Sequence, residues 1–432
     1  MTKFCLSPSI LLLPKVSLII LSIFLINTYT SAQVATYYNF SQSSGTYTPG
    51  APTGVSTPAS IFSTTWDDVA YTGYTLPFNF NFNGTVYPAG TGVIGLDTDG
   101  WFCFSNGVPV MSGQLGGGSW VTASDHTGMY LYGNANNNGF AGFNADLNAQ
   151  SLPTFTGTRT SGSNTITGVS SFANIQIGTR LSGTGIPNGT IVTAFGGGTI
   201  TMSANATGTS NTAVTPMSSI FAFTRGTAPN RQFVVQWTQA KRYNSPSITG
   251  DNFNFQMILN EGGGVANLQT LQVVFGTMTA VVTDVLETQV GLRGATSADF
   301  NARSSTGNWA ATTAASVNSD HVRFSNSITP ASGLTFTWSP CTGPPAAAGA
   351  LSGPSPVCPG TSQVYSLAAV SGATQYTWSY SGTNTAFTAV TATPSNSFYF
   401  APNATAGTIT VTPSNFCGSS ASATRPVAVT AV

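Results

Sequence analysis

Asn252 to Leu259 reads NFNFQMIL, and Phe253, Phe255 and then Met257 or Ile258 fall between polar neighbours. That alternation is what a strand with one buried face requires, because successive side chains point to opposite sides of a sheet. The same signature recurs in Tyr74 to Phe82 (YTLPFNFNF), Arg231 to Trp237 (RQFVVQW), Leu268 to Phe275 (LQTLQVVF) and Leu334 to Trp338 (LTFTW). No helical period replaces it after Gln33, and Gly, Pro or Asn breaks the chain roughly every ten residues. The pattern predicts an all-β protein: a large, jelly-roll-like β-sandwich with a small β insertion, followed by an immunoglobulin-like β-sandwich.

Gly139 to Leu147 (GFAGFNADL) and Ser219 to Thr224 (SIFAFT) read as parts of one large domain, 33–340. Between them, 155–215 shifts to Thr, Gly and Ser and, after Phe155 itself, loses all aromatics but Phe172 and Phe195. Its units SNTITGV, TRLSG, GTIVTAF and GTITMSA predict a small β insertion. Without it the domain holds roughly 250 residues, a size a single sandwich or barrel reaches.

The run Pro340-Cys-Thr-Gly-Pro-Pro-Ala-Ala-Ala-Gly349 reads as a linker at 341–349, leaving 350–432 as a second, smaller domain. There Cys358, Tyr376-Thr-Trp378, Gly407-Thr-Ile-Thr-Val411 and Asn415-Phe-Cys417 follow one another. In immunoglobulin-like sandwiches a core Trp packs on a disulfide joining the two sheets, so the order predicts a Cys358–Cys417 disulfide around Trp378. Cys103 and Cys341 are then left either to pair with each other or to stay apart, Cys103 as a buried thiol.

The N-terminus has Lys3, then after Pro14 and Lys15 the apolar run Val16 to Ile26, short for a bilayer span. With Thr30 and Ala32 at the −3 and −1 positions it reads as a signal peptide over 1–32, and the mature chain starts near Gln33. Cys5 lies ahead of the apolar core and leaves with the signal. No second long apolar stretch follows, so no membrane span is expected after cleavage. Removing Lys3 and Lys15 takes the 12 basic residues to 10 against 12 acidic ones, a net charge of −2 that offers no footprint for nucleic acid. Only 6% of the chain is charged while 41% is hydrophobic, so it buries real cores and is kept soluble by hydroxyls and amides.

Segment 350–432, with SGPSPVCPGTSQVYSLAAVSGATQYTWSYSG and GTITVTPSNFCGSS, resembles the PKD-like, immunoglobulin-like repeats of large bacterial surface proteins. It lacks a Gly-Asp-Gly turn after Trp378, so the resemblance implies the sandwich alone. The series YNFSQSSGTYTP, LPFNFNFNGTVY, DGWFCF, APNRQFVVQW, VGLRGAT with DFNAR, and SGLTFTW is similar to the N-terminal β domain of proteins exported by the type IX secretion system of gliding-type Gram-negative bacteria. That resemblance implies a secreted or outer-surface location. TSGSNTITGV, GTRLSGTGIPNGTIV and ITMSANAT resemble a small module of tail-fibre-like and adhesin-like proteins. Proteins of this export route end in a sorting domain, which does not follow the smaller domain here, so a fragment or another export signal is expected.

Catalytic readings find little support. The two histidines, His126 and His321, lie far apart, and Asp125 beside His126 would point to the opposite side of a strand, which favours a surface pair. No Gly-x-Ser-x-Gly elbow or His-Glu-x-x-His helix occurs. The carboxylates, among them Asp67, Asp68, Asp97, Asp99, Asp125, Asp146, Asp251, Glu261, Asp284, Glu287, Asp299 and Asp320, offer no selected pair for glycoside hydrolysis. Asp97-Thr-Asp99-Gly100 opens like a calcium loop without its later ligands; a turn is its ordinary meaning, and calcium stays open as the one cofactor. Phe80, Phe255 and Trp237 read as core, and the loop Tyr130 to Gly139 (YLYGNANNNG) as a candidate ligand surface. The expected function is a non-catalytic, adhesin-like binding or display module facing an extracellular glycan or surface. The alternatives are the non-catalytic front of a larger secreted hydrolase and a structural stalk.

Overall fold

A computed structural model describes residues 34–50, 66–67, 69–105, 138–243, 250–265, 268–373, 375–415 and 417–430. The predicted signal peptide, Asp68, Asp125, His126 and the 130–137 part of the Asn- and Tyr-rich loop lie outside the described residues. Twelve principal strands build the larger body: β1 (Tyr38–Ser44), β2 (Ala70–Thr75), β3 (Val93–Asp97), β4 (Trp101–Ser105), β5 (Gly139–Asn144), β6 (Ser219–Arg225), β7 (Gln232–Arg242), β8 (Asn252–Asn260), β9 (Leu271–Thr279), β10 (Leu286–Arg293), β11 (Phe300–Ser304) and β12 (Leu334–Pro340). They form two antiparallel sheets, ordered β1-β12-β9-β8-β7-β6 and β2-β3-β4-β5-β10-β11, with shorter strands at the margins. First and last strands are neighbours, Tyr38 opposite Pro340 and Ser44 opposite Leu334, so the chain closes the body on itself.

One aromatic core lies between the sheets. Phe140 of β5 meets Trp338 of β12 edge-on with ring centroids 5.7 Å apart, and Phe143 lies 5.7 Å from Phe255. Trp237 stacks on Phe255 at 4.7 Å, and its indole N–H donates to Thr98 O (2.9 Å). Phe80, Phe255 and Trp237 are fully buried.

Two strand expectations change. YTLPFNFNF is two strands, because the chain bends at Leu76–Asn79 around Pro77, a residue with no N–H to give a ladder, and resumes at Phe80–Phe82. NFNFQMIL forms β8, but both of its faces are buried: Asn254 and Gln256 are as enclosed as Phe253 and Phe255. The sequence pattern expects solvent on the polar side. The structure instead covers it with Ile191 of the inserted segment and with Tyr47, packed on Phe221, Phe223, Val234, Ile258 and Val274.

That second layer is polar where β7 and β8 cross it, and its amides bond to one another and to the chain at Thr48–Gly50, leaving Gln256 Oε1 buried without a partner. Gln236 Oε1 accepts from Gly50 N (2.9 Å) and Gln256 Nε2 (2.6 Å), and Gln256 Nε2 also donates to Thr48 O (2.8 Å). A β-bulge in β7 puts Gln239 at φ 57°, a left-handed conformation uncommon outside glycine. Its backbone N–H donates to Asn254 Oδ1 (3.0 Å), and its side chain binds Thr179 Oγ1 (2.8 Å) and Asn174 O (3.1 Å) of the insertion. The irregular residue is thus the peg on which the inserted segment hangs.

The insertion has its own small core, centred on Phe155, Ile166, Leu181, Val192, Ile200 and Val214. One of its sheets runs Thr158–Arg159, Thr165–Thr167, Thr199–Met202, Val192–Gly196; the other pairs Arg180–Ser182 with Ala213–Met217 and Phe155–Thr156.

The C-terminal body packs Tyr365, Tyr376, Trp378, Phe398, Phe400, Ile409 and Val411 between two sheets. The predicted disulfide is corrected here. Cys417 is bonded to Cys341, with Cα atoms 5.5 Å apart, and Cys358 is an exposed cysteine outside any disulfide. An inter-sheet disulfide needs both cysteines on strands facing the core. Cys358 instead precedes the Thr361–Ser366 strand, and its neighbour Val357 is the buried residue. Cys417 sits in the turn between Gly407–Asn415 and Gly418–Ser419. That turn grips the linker, since Asn415 Nδ2 donates to Gly343 O (3.0 Å), while Cys341 N donates to Tyr37 O (2.7 Å) of the larger body. The disulfide therefore ties the C-terminal body to the end of β12. Around Trp378, Phe398 occupies the place of sulfur, at 6.0 Å edge-on.

Candidate functional site

Acid–base chemistry would need two carboxylates facing a cleft. Asp251 is buried beside Arg242, Oδ2 to Nε 2.7 Å, and its other oxygen accepts from Val281 N (3.0 Å). Glu261 takes a bidentate grip from Arg231, at 2.9 Å from Nε and 2.6 Å from Nη2, and that guanidinium holds its carboxyl below the usual carboxylate range. Asp320 accepts from Ser316 N and Val317 N, closing a turn. Glu287 Oε1 lies 3.1 Å from His321 Nε2, both about a third exposed; the pair expected at the surface, Asp125 with His126, lies outside the described residues.

Asp97-Thr98-Asp99-Gly100 is a turn between β3 and β4. Asp97 Oδ1 accepts from Asp99 N (3.0 Å), Asp99 Oδ1 from Leu147 N (3.0 Å), and Thr98 Oγ1 from Val69 N (3.0 Å). Gly100, at φ 83°, has no room for a Cβ, which would sit 2.3 Å from Phe143 O. These bonds bring Asp97 and Asp99 to one turn and engage one oxygen of each with a backbone N–H group. Among the described residues no group of three or more His, Cys, Asp or Glu is placed to hold a metal ion. Cys103 is buried, and burial pushes its thiol up to about 11, so the thiolate needed for nucleophilic chemistry is suppressed.

The surface with the most regular chemistry is one that sequence reading passed over. On the outer side of the insertion's first sheet, Thr158 lies opposite Thr167 and Thr167 opposite Thr199; Thr165 lies opposite Thr201. Thr160 follows at the next outward position, at the turn where Ser163 N donates to Thr160 O (3.0 Å). Every outward position of three neighbouring strands is therefore a threonine. The hydroxyls repeat about 4.8 Å across the strands and about 6.8 Å along them. The inward partners are Arg159, Ile166 and Ile200, all buried.

This face carries no charge, and neither does the surface around it. From Phe155 to Met217 the only ionisable side chains are Arg159 and Arg180, and both are buried. Arg159 spends its guanidinium on Thr184 O (3.0 Å), Thr212 O (3.1 Å) and Thr212 Oγ1 (3.1 Å), stapling the module from within. The signal for the face was legible as Thr-Gly-Thr-Arg-Thr160 and the repeated Thr-Ile-Thr at 165–167 and 199–201. Composition alone did not say that these triplets lie side by side.

Residues 344–427 match a family model described as a PKD-like domain, and residues 207–340 match one described as NIDO related. Searches of curated proteins and of solved structures returned no match. The two matched segments meet at Cys341, where the structure places the disulfide. A PKD-like domain and a disulfide are typical of extracellular proteins, and disulfides persist in oxidising compartments. No helix among the described residues is long and apolar enough to cross a membrane.

Proposed function

We propose that this chain is a non-catalytic, adhesin-like protein of a Gram-negative cell surface. On this reading a signal peptide ending at Ala32 and the type IX route export it, and it binds a neutral extracellular glycan through the insertion's threonine face. The observation that carries the reading is that face: five threonines in register, with Thr160 beside them, on a module whose surface has no charged side chain. An ordered array of hydroxyl donors and acceptors with methyl groups between them complements a polyhydroxylated, uncharged ligand. It offers no cationic side chain to a phosphate or a sulfate. The described carboxylates support the non-catalytic part, since Asp251, Glu261, Asp320 and Asp99 are committed to guanidinium or backbone partners. The PKD-like body serves as a spacer, clamped to the larger body through Cys341–Cys417.

The test is a glycan array probed with the chain from Gln33 to Val432, with and without calcium. Binding concentrated among neutral glycans supports the reading. Uniform silence, or binding confined to acidic glycans, contradicts it.

A further inference from the structure

The threonine face extends beyond its three strands on both sides. Arg159 and Ser210 exchange both backbone hydrogen bonds (2.8 and 3.0 Å), so the chain at Ser210 runs antiparallel beside Thr158–Arg159. That register sets Asn211 opposite Thr158. On the far side, Val192–Gly196 sets Gly196 opposite Thr199 and Ala194 opposite Thr201. One row therefore crosses the sheet as Asn211, Thr158, Thr167, Thr199 and Gly196. A second row runs from Ala194 through Thr201 and Thr165 toward the turn of Thr160.

The two rows differ in what their side chains have left to offer. In the first, Asn211, Thr158 and Thr167 bond no other side chain or backbone group among the described residues, and Thr199 donates its proton to Gly196 O (3.0 Å) while keeping its lone pairs. In the second, Thr165 donates to Asn164 Oδ1 (3.4 Å), and Thr209 Oγ1, at the Thr160 end, accepts from Ser161 N (3.1 Å). Asn211 is exposed but held from below. Its neighbour Ser210 is locked to the Arg159 backbone, and its other neighbour, Thr212, accepts from the buried Arg159 guanidinium through O and Oγ1, both at 3.1 Å. An amide with two donors and one acceptor thus stands in a fixed place at one end of the row. At the other end a Cβ on Gly196, Gly197 or Gly198 would meet nothing within 4 Å, so no wall closes it.

We propose that the first row is the track of an extended, equatorially linked neutral glycan chain lying across the strands, about one sugar to a strand, with Asn211 as the specificity-determining residue at its closed end. The inference rests on the glycan reading of this face. Sugars joined through equatorial bonds at opposite ends of each ring advance in a straight line by about one ring length, close to the strand spacing of about 4.8 Å. Hydroxyls along a strand repeat at about 6.8 Å, out of step with that advance. Four strand spacings make a track about 19 Å long, room for about four sugars. An axially linked chain curves away from so straight a row. The open glycine end lets the chain run on past the sheet, which suits a stretch within a polymer.

The test is calorimetric titration of the chain from Gln33 to Val432 with linear β-1,4-linked gluco-, manno- and xylo-oligosaccharides of two to six sugars, beside α-1,4-linked maltohexaose. In at least one linear series affinity should rise at least tenfold from two sugars to four and flatten beyond four, with maltohexaose unbound. Thr158→Val with Thr167→Val keeps the branched shape, removes two hydroxyls and should weaken the tetrasaccharide at least tenfold. Thr165→Val with Thr201→Val, in the second row, should weaken it less than threefold. Asn211→Ala should move the plateau from four sugars to three. Affinity that stops rising at the disaccharide in the wild-type chain overturns the proposal, as do equal losses from the two rows or a plateau that stays at four without Asn211. Binding confined to branched, α-linked or single neutral sugars overturns the track and leaves the glycan reading standing, whereas silence toward every neutral glycan refutes both.

Discussion

Asn254→Ala is the substitution that most sharply separates a covered sheet from an exposed one. In an ordinary sandwich this outward-facing residue of β8 would be solvated, and its loss would cost a few tenths of a kcal/mol. Here Asn254 is 2% exposed, its Oδ1 accepts from the backbone N–H of Gln239 (3.0 Å) and from Gln176 of the insertion, and its Nδ2 donates to Thr277 O (2.8 Å). Alanine strands the buried Gln239 N–H, at about 1–3 kcal/mol, and removes the Gln176 bond, at about 1 kcal/mol, for a total near 3 kcal/mol. The cost falls at a bulge whose φ is already left-handed, so no relaxed backbone awaits it. Urea unfolding followed by tryptophan fluorescence reads the loss, and hydrogen exchange at the Gln239 amide locates it. A loss under about 1 kcal/mol, or a Gln239 amide as protected as in the wild type, would refute the reasoning. Asn254→Asp keeps an acceptor for Gln239 but has no donor for Thr277 O, and should be at least as costly at neutral pH.

Three further outcomes rest on contacts elsewhere in the chain. Cys341→Ser opens a loop of 76 residues, and the chain-entropy relation sets the loss at up to about 4.5 kcal/mol. The unfolding midpoint of the C-terminal body, read at Trp378 with the other tryptophans replaced by phenylalanine, should fall accordingly. In the native, unreduced protein a small alkylating agent should modify Cys358 and spare Cys103 until the larger body unfolds; peptide mapping that found Cys358 bonded to Cys417 would contradict the structure. The Arg231 grip depresses the pKa of Glu261, so its contribution is complete above the unfolded carboxylate value of about 4.3 and is lost as pH falls through the lower folded value. Glu261→Gln should therefore flatten the acid side of the stability profile and leave its alkaline side unchanged.

Strand identity was legible wherever a period-two pattern ran unbroken. Arg231 to Trp237 and Asn252 to Leu259 mark β7 and β8 because aromatic and branched side chains at alternate positions have only one way to reach a core. What the pattern could not show was the third layer. Asn254, Gln256 and Gln236 are polar, and polarity at alternate positions ordinarily means water. For Asn254 it means a segment 78 residues away, whose Gln176 binds it, while Gln236 and Gln256 bond to each other and to Gly50 and Thr48. The disulfide was misread for a related reason. Cys358, Trp378 and Cys417 have the right order for an immunoglobulin pin, but order along the chain does not fix which way a cysteine faces. The turn at Asn415 to Gly418 carries Cys417 out of the core and toward Gly343. The threonine face was half legible, as triplets without their register.

The central claim is that the working surface is the uncharged threonine face and not any carboxylate. Replacing Thr158, Thr167 and Thr199 by lysine puts three charges in one row across it, at positions whose inward neighbours are untouched. The direct measurement is the affinity of this variant for the neutral glycan that the wild-type chain binds, beside that of Glu287→Gln. The account predicts unchanged melting, a loss of affinity of at least tenfold for the lysine variant and none for Glu287→Gln. Wild-type affinity in the lysine variant, with its fold intact, would contradict it.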